Sequence, residues 1–130
     1  MNKKGITLIE LIIVLAVLAI LAAVLIPNFF NVTDRARLRS DIQSARVINN
    51  AMELYRIENN KALPSSVTDI LKELKDGGYL SNKNTDTQTA GADWKLDNNK
   101  IVVFVGGASD NVKNIAKNLS PDEQEFVQGF

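Results

Sequence analysis

The chain has 130 residues, a formal net charge of zero, and neither cysteine nor histidine. That length suits one domain plus an extended element. The missing residue types exclude disulfides, thiol catalysis and the commonest zinc ligands, and the balanced charge gives no bulk electrostatic case for nucleic acid or an acidic substrate.

The first element is an apolar run. Residues 11–26 are 16 consecutive apolar side chains, and 12 of them are Leu, Ile or Val. Extended back to Ile6 the stretch covers 21 residues, about the length that spans a bilayer as a helix. Insertion of the branched residues is favourable by about 4 to 7 kcal/mol in sum, which exceeds the roughly 2.5 to 3.5 kcal/mol cost of one central carboxylate, Glu10. Lys3 and Lys4 precede the run and hold that end in the cytoplasm, leaving the remainder outside. A cleaved secretory signal is the alternative. It fits poorly, because Gly5 follows the lysines at once and Pro27 is followed by Asn-Phe-Phe rather than an A-x-A site.

Lys3-Lys4-Gly5-Ile6-Thr7-Leu8-Ile9-Glu10 ahead of a long apolar run resembles the class III signal of type IV pilins and pseudopilins. The resemblance is strong over residues 1 to about 60 and loose beyond. It implies cleavage between Gly5 and Ile6 by a prepilin peptidase and N-methylation of Ile6. It also implies a filament whose growth pairs Glu10 of an incoming subunit with the amino terminus of a neighbour. An unpaired carboxylate is costly in the bilayer and satisfied on assembly, so Glu10 would select register; a carboxylate snorkelling at the interface without a partner is the other reading. Pro27 stands where the family commonly has a proline. Three features depart from the pattern: Ile6 replaces the usual phenylalanine, no glycine occurs between Ile6 and Asn31, and there is no carboxy-terminal cysteine pair. Local unwinding before Pro27 is accordingly less favoured than in some filaments of the family.

Residues 28–60 lack Gly and Pro and read as a continuation of the helix, which from Ile6 to Asn59 would be roughly 80 Å long. Arg35, Arg39 and Arg46 fall within about 40° of one another on a helical projection, a stripe open to DNA, acidic lipid, neighbouring subunits or solvent. Asp34 and Asp41 share another side. Leu38, Ile42, Ala45 and Met52 form an apolar stripe, and Val47, Ile48, Ala51, Leu54 and Tyr55 a second side for neighbouring subunits. Phe29 and Phe30 suit an interfacial aromatic belt or subunit packing.

Residues 61–64 end this helix before Pro64. A short helix is expected over 67–75, stopped by Gly77-Gly78, with Tyr79-Leu80 packing back onto the long helix. Residues 81–93 read as a polar surface loop. Strands are expected at 94–96 and 101–105 around an Asp97-Asn98-Asn99 turn, and a helix at 111–119. A last helix begins at Ser120-Pro121-Asp122-Glu123 through a capping box and ends near Gly129. Asp86, Asp93 and Asp97 are the candidate calcium acids that the pseudopilin resemblance suggests, but they lack EF-hand spacing and read as solvated loop acids. Trp94 reads as core. Ser109-Asp110 has no histidine to act as its base, and no phosphate-binding glycine loop is present.

The fold class expected is α+β: a long N-terminal helix with a hydrophobic stem, packed by a small antiparallel β-sheet head with short helices. The expected organisation is a leader (1–5), a transmembrane or filament-core helix (6–27), its amphipathic continuation (28–60) and a globular head (61–130). The function implied by the resemblance is that of a structural pilus subunit, not an enzyme, with no catalytic, cofactor or metal residues. Its expected partners are further copies of itself in a helical filament, the prepilin peptidase, an inner-membrane assembly platform and a motor ATPase. Direct contact with nucleic acid is not expected. The precursor would lie in the inner membrane as a single span with a cytoplasmic amino terminus, and the mature form in an extracellular pilus for adhesion or motility. A major pseudopilin of a type II secretion or DNA-uptake machine is the alternative; a non-polymerising membrane-anchored binding domain is the alternative of another class.

Overall fold

The computed structural model describes Gly5 and residues 7–81 and 86–130. The chain forms two compact units, Met1–Thr33 and Asp34–Phe130. Helix α1 (Leu8–Asn59) contributes to both.

In the first unit the helix opens on Thr7 and runs through Pro27 without a break. Proline removes one backbone donor but keeps helical φ, and no glycine nearby lowers the helical preference further. Every large apolar side chain from Leu8 to Ile26 is at least 46 % exposed. A helix that is apolar all round is stable only with lipid or protein against it.

The second unit is α+β. After α1 come α2 (Val67–Asp76), the strands β1 (Asp93–Asp97) and β2 (Lys100–Phe104), the helices α3 (Asp110–Lys117) and α4 (Pro121–Gln124), and β3 (Val127–Gln128). Asn60 ends α1 in the left-handed conformation at φ 49°, a helix stop for which asparagine is well suited, so the helix ends before the expected proline takes effect. The turn of the β1–β2 hairpin has Asn98 and Asn99 at φ 49° and 64°, the signature of a type I′ turn. The hairpin is antiparallel, pairing Trp94 with Val103 and Leu96 with Ile101.

The sheet order is β1-β2-β3, and β3 pairs with β2 in parallel. The sheet is therefore mixed rather than wholly antiparallel. The last helix does not reach Gly129: α4 stops at Gln124, and the next residues turn to become β3. A four-residue helix has little cooperativity to extend. The open edge of β2 offers Val103 and Val105 amides, which donate to the Phe126 and Gln128 carbonyls at 2.7 and 2.8 Å. The Ser120 capping box is also altered. Its hydroxyl donates to the Glu123 carboxylate at 3.0 Å and does not accept from the helix backbone.

Two apolar clusters form the core. Leu38, Ile42 and Ala45 of α1 meet Val103, Val105, Val112, Ile115 and Val127. Ile48, Ala51, Met52 and Tyr55 meet Ile70, Leu74, Leu80 and Ile101. This corrects the two-sided reading of α1. Ile48, Ala51 and Tyr55 are covered by the chain's own α2 and β2, because the apolar face of α2, whose Ile70 and Leu74 stand one turn apart, needs the same surface. Leu54 alone of the expected second side stays well exposed, at 47 %. Residues Ile101 to Val103 are buried in succession, as expected for a central strand covered on both faces. Trp94 packs against both clusters, in agreement with a core role.

Candidate functional site

Three places in the chain can carry function: the start of α1, the arginines after the apolar run, and the loop acids of the head.

At the start of α1, Thr7 and Glu10 form a reciprocal capping box. The Glu10 amide donates to Thr7 Oγ1 at 3.2 Å, and the Thr7 amide donates to Glu10 Oε2 at 3.2 Å. Two of the helix's orphan amides are satisfied in this way. The T-x-x-E spacing at residues 7–10 is legible in the sequence. The carboxylate also complements the positive end of the helix dipole. It is exposed, with lone pairs left for a further donor. Gly5 is exposed, with open space where a side chain would stand. Ile6 lies outside the described residues. Pro27 is helical in its backbone, and its side chain also lies outside what is described.

The arginine stripe is not uniform. Arg39 Nε bonds Glu123 Oε2 at 3.3 Å. Arg46 lies over the Phe126 ring at 5.2 Å, and Lys100 approaches the same ring at 4.0 Å while pairing with Glu125 at 2.9 Å. These contacts strap the last ten residues onto α1 and the hairpin. Exposed pairs of this kind contribute little singly, so their effect is chiefly to position the carboxy terminus.

The loop before β1 is not wholly superficial, as its polar composition suggests. Thr89 and Ala92 are buried. The reason is Asp41, a fully buried carboxylate on α1 that accepts from the Gln88 and Thr89 amides at 2.7 and 2.8 Å. Asn49 acts similarly on β2: its side chain accepts from the Ile101 amide at 2.7 Å and donates to the Ile101 carbonyl at 2.9 Å. Asp34 accepts from Asn111 at 2.8 Å. Sequence reasoning missed these anchors. The available signal was a polar residue standing three or four positions from apolar neighbours on both sides of it (Leu38 and Ala45 for Asp41, Ala45 and Met52 for Asn49).

The three candidate calcium acids are not brought together. Asp97 accepts from Gln128 at 2.6 Å, while Asp86 and Asp93 border an open cleft beside Lys72 and Lys75. Among the described residues no three of Asp, Glu, His or Cys converge as a metal site would require. Ser109 caps α3, accepting from the Val112 amide at 3.4 Å.

Two tyrosines fasten the end of α1 to α2. Tyr55 donates to Glu73 at 3.0 Å, Tyr79 donates to Glu58, and the rings meet edge-on at 5.6 Å. The bond to Glu73, with burial adding to it, raises the Tyr55 pKa above its ordinary value. The bond to Glu58 does the same for Tyr79, with burial adding and a bond from Asn59 opposing. A raised folded-state pKa gives stability that is complete below the unfolded value near 10 and is lost as pH rises through the folded one. Denaturant unfolding of the full chain is thus expected to show a midpoint that is flat up to about pH 10 and falls above it. A Tyr55→Phe/Tyr79→Phe variant should fall less steeply; a profile overlaying that of the wild type would remove the tyrosines from the account.

The prokaryotic N-terminal methylation motif family matches residues 1–26. The type IV wide pilus major component PilA4 of Thermus thermophilus is 50 % identical over 62 residues, 45 % of each chain. The prepilin peptidase-dependent protein A of Clostridium perfringens is 46 % identical over 53 % of this chain and 49 % of its own length. The type II secretion system core protein G of Aeromonas hydrophila is 27 % identical over 61 % of this chain and 63 % of its own. The chain thus spans about half the length of the first two of these relatives. No solved structure matches it.

Proposed function

We propose that this chain, which carries the N-terminal methylation motif and resembles type IV pilins and a secretion-system core protein, is a structural subunit of a type IV pilus-like filament. The observation that carries the reading is the start of α1: a carboxylate, Glu10, heads an apolar helix exposed on every side, five residues beyond an accessible glycine. Before assembly the apolar run is held in the membrane, with Lys3 and Lys4 on the cytoplasmic side. A prepilin peptidase cuts after Gly5 and methylates Ile6. The run then leaves lipid for a core built of identical helices, driven by an assembly platform and a motor ATPase. Glu10 meets the ammonium of a neighbour's Ile6, and Pro27 lies at the outer end of the packed run.

A pseudopilin role is the second reading, supported by the likeness to core protein G. One experiment separates the two. Cells are sheared, filaments are pelleted from the medium, and the mass and amino terminus of the protein are determined. An Ile6 start bearing one extra methyl in an extracellular polymer is expected; the same start confined to the membrane fraction would favour the pseudopilin. Gly5→Val should leave the chain starting at Met1. Because nothing among the described residues stands where a Gly5 side chain would be, such a failure would lie with the peptidase and not with folding. An Ile6 start in that variant would overturn the cleavage site.

A further inference from the structure

Within the second unit, α1 has two faces. One is buried under the chain's own head, where Leu38, Ile42, Ile48 and Met52 are covered. The other is open. Ser40, Gln43, Val47, Asn50, Leu54 and Ile57 follow one another in alternate steps of three and four residues and lie within about 100° of one another on a helical projection. Val47 is half-buried and the other five are exposed. None is charged. This is the spacing of a seam between packed helices, and it gathers exposed apolar surface. Among the described residues of the second unit, the large apolar side chains left exposed are Leu54 (47 %), Ile57 (70 %) and the terminal Phe130.

The two ends of the seam differ, and the difference indicates what packs on it. The first end has small residues, Ala36 and Ser40, and is flanked by Arg37 and Arg39. The second has bulky residues, Leu54 and Ile57, and is flanked by Glu53 and Glu58. All four charged residues are exposed, and the ties they make within the chain lie at the surface. Arg39 meets Glu123 at 3.3 Å with 57 % of its side chain exposed, Glu53 meets Arg56 at 3.7 Å with 66 % exposed, and Glu58 accepts from Tyr79.

Charges flanking such a seam set the partner and its orientation. The complement of this helix is acidic and bulky where it is basic and small. A displaced copy of α1 meets that description. Two copies held level place arginine beside arginine and glutamate beside glutamate. Displaced by 14 residues, about 21 Å, Arg39 of one copy comes level with Glu53 of the other, and Ser40 with Leu54. An inverted copy would match the charges too, but under the proposed function all copies enter the membrane in one orientation. Because the two ends are different patches, each copy keeps one end free for the next, and a head-to-tail contact of this kind continues into an open polymer.

We infer that this face of α1 is a self-docking seam, in which the basic end of one copy packs on the acidic end of the next with a stagger of about two heptads. The inference rests on the filament reading, since copies stored at one depth in a membrane lie level.

The chain has no cysteine, so introduced thiols report without background. Full-length Ser40→Cys/Leu54→Cys is expressed in the native host, and sheared filaments are oxidised with copper phenanthroline and run on a non-reducing gel. A reducible ladder of dimers, trimers and longer species is expected, because the stagger brings the two positions of successive copies within disulfide reach, under about 7 Å between Cα atoms. Each single variant should stay monomeric. Filaments in which the double variant stays monomeric overturn the seam. So does a Leu54→Cys variant that forms dimers as readily, because its copies then lie level. Leu54→Ser/Ile57→Ser supplies a second measurement. Both side chains lie outside the two core clusters, so thermal unfolding of the chain should be unchanged while pelleted filament falls several-fold; an unchanged yield also overturns the seam. If the wild type forms no filament, the filament reading fails and the seam with it, whereas intact wild-type filaments without the ladder sink the seam alone.

Discussion

Glu10→Gln is expected to abolish extracellular filaments while leaving the start of α1 intact. The two parts of that expectation come from two different functions of one side chain. Within the chain, Glu10 closes a capping box with Thr7. Glutamine serves that geometry as well as glutamate does, so the substituted helix should begin at the same residue. In the proposed filament the carboxylate neutralises the ammonium that cleavage creates on Ile6, and glutamine cannot. Leaving one member of an ion pair unpaired in a low-dielectric core costs about 3 to 5 kcal/mol, or on the order of a 10² to 10⁴-fold loss in subunit affinity. The converse variant, Thr7→Ala, removes the hydroxyl cap, worth about 1 kcal/mol, and keeps the charge; it should assemble with a modest deficit. Quantifying sheared filaments for both variants, with total protein as control, decides the matter. If Glu10→Gln yields wild-type amounts, the glutamate is a helix cap and the pairing mechanism fails.

Asp41→Ala is expected to destabilise the second unit strongly. Its carboxylate is wholly buried and is the acceptor for both the Gln88 and the Thr89 amides. Alanine would leave two backbone donors without partners in a region where Thr89 Oγ1 is already unpaired. Each such orphan costs about 1 to 3 kcal/mol, so a loss of about 2 to 6 kcal/mol follows, and the melting temperature of a domain of this size should drop by roughly 10 °C or more. Asp41→Asn should be intermediate, since an amide keeps one acceptor oxygen but turns a second donor toward an amide hydrogen. Thermal unfolding of the full chain in detergent, followed by circular dichroism, measures both. A shift below about 2 °C for Asp41→Ala would mean that the loop before β1 does not depend on this anchor. Surface carboxylates nearby, Asp93 for example, offer a comparison that should move little.

Much of this architecture is legible without coordinates because it is written in local terms. The apolar run, the absence of Gly and Pro over residues 28–60, the paired asparagines of the hairpin and the serine before α3 each act within a few residues. The T-x-x-E box at Thr7 and Glu10 belongs to the same class. What could not be read is whatever depends on a partner far along the chain. Whether residues 125–129 continue a helix or become a strand turns on the unpaired edge of β2, some 25 residues earlier. The pairing with Val103 and Phe104 supplies more hydrogen bonds than a fifth helical residue would. Whether Ile48, Ala51 and Tyr55 face a neighbouring subunit or the chain's own head turns on where α2 docks.

The apolar helix is legible in the residues alone, because length and hydrophobicity act there without any fold. Which polar residues of α1 are structural depends on contacts far along the chain. Asp41 and Asn49 look like ordinary helix-surface residues until the loop at 88–89 and strand β2 lie against them. Burial then turns their hydrogen bonds from exchangeable contacts with water into anchors whose loss leaves backbone groups unsatisfied.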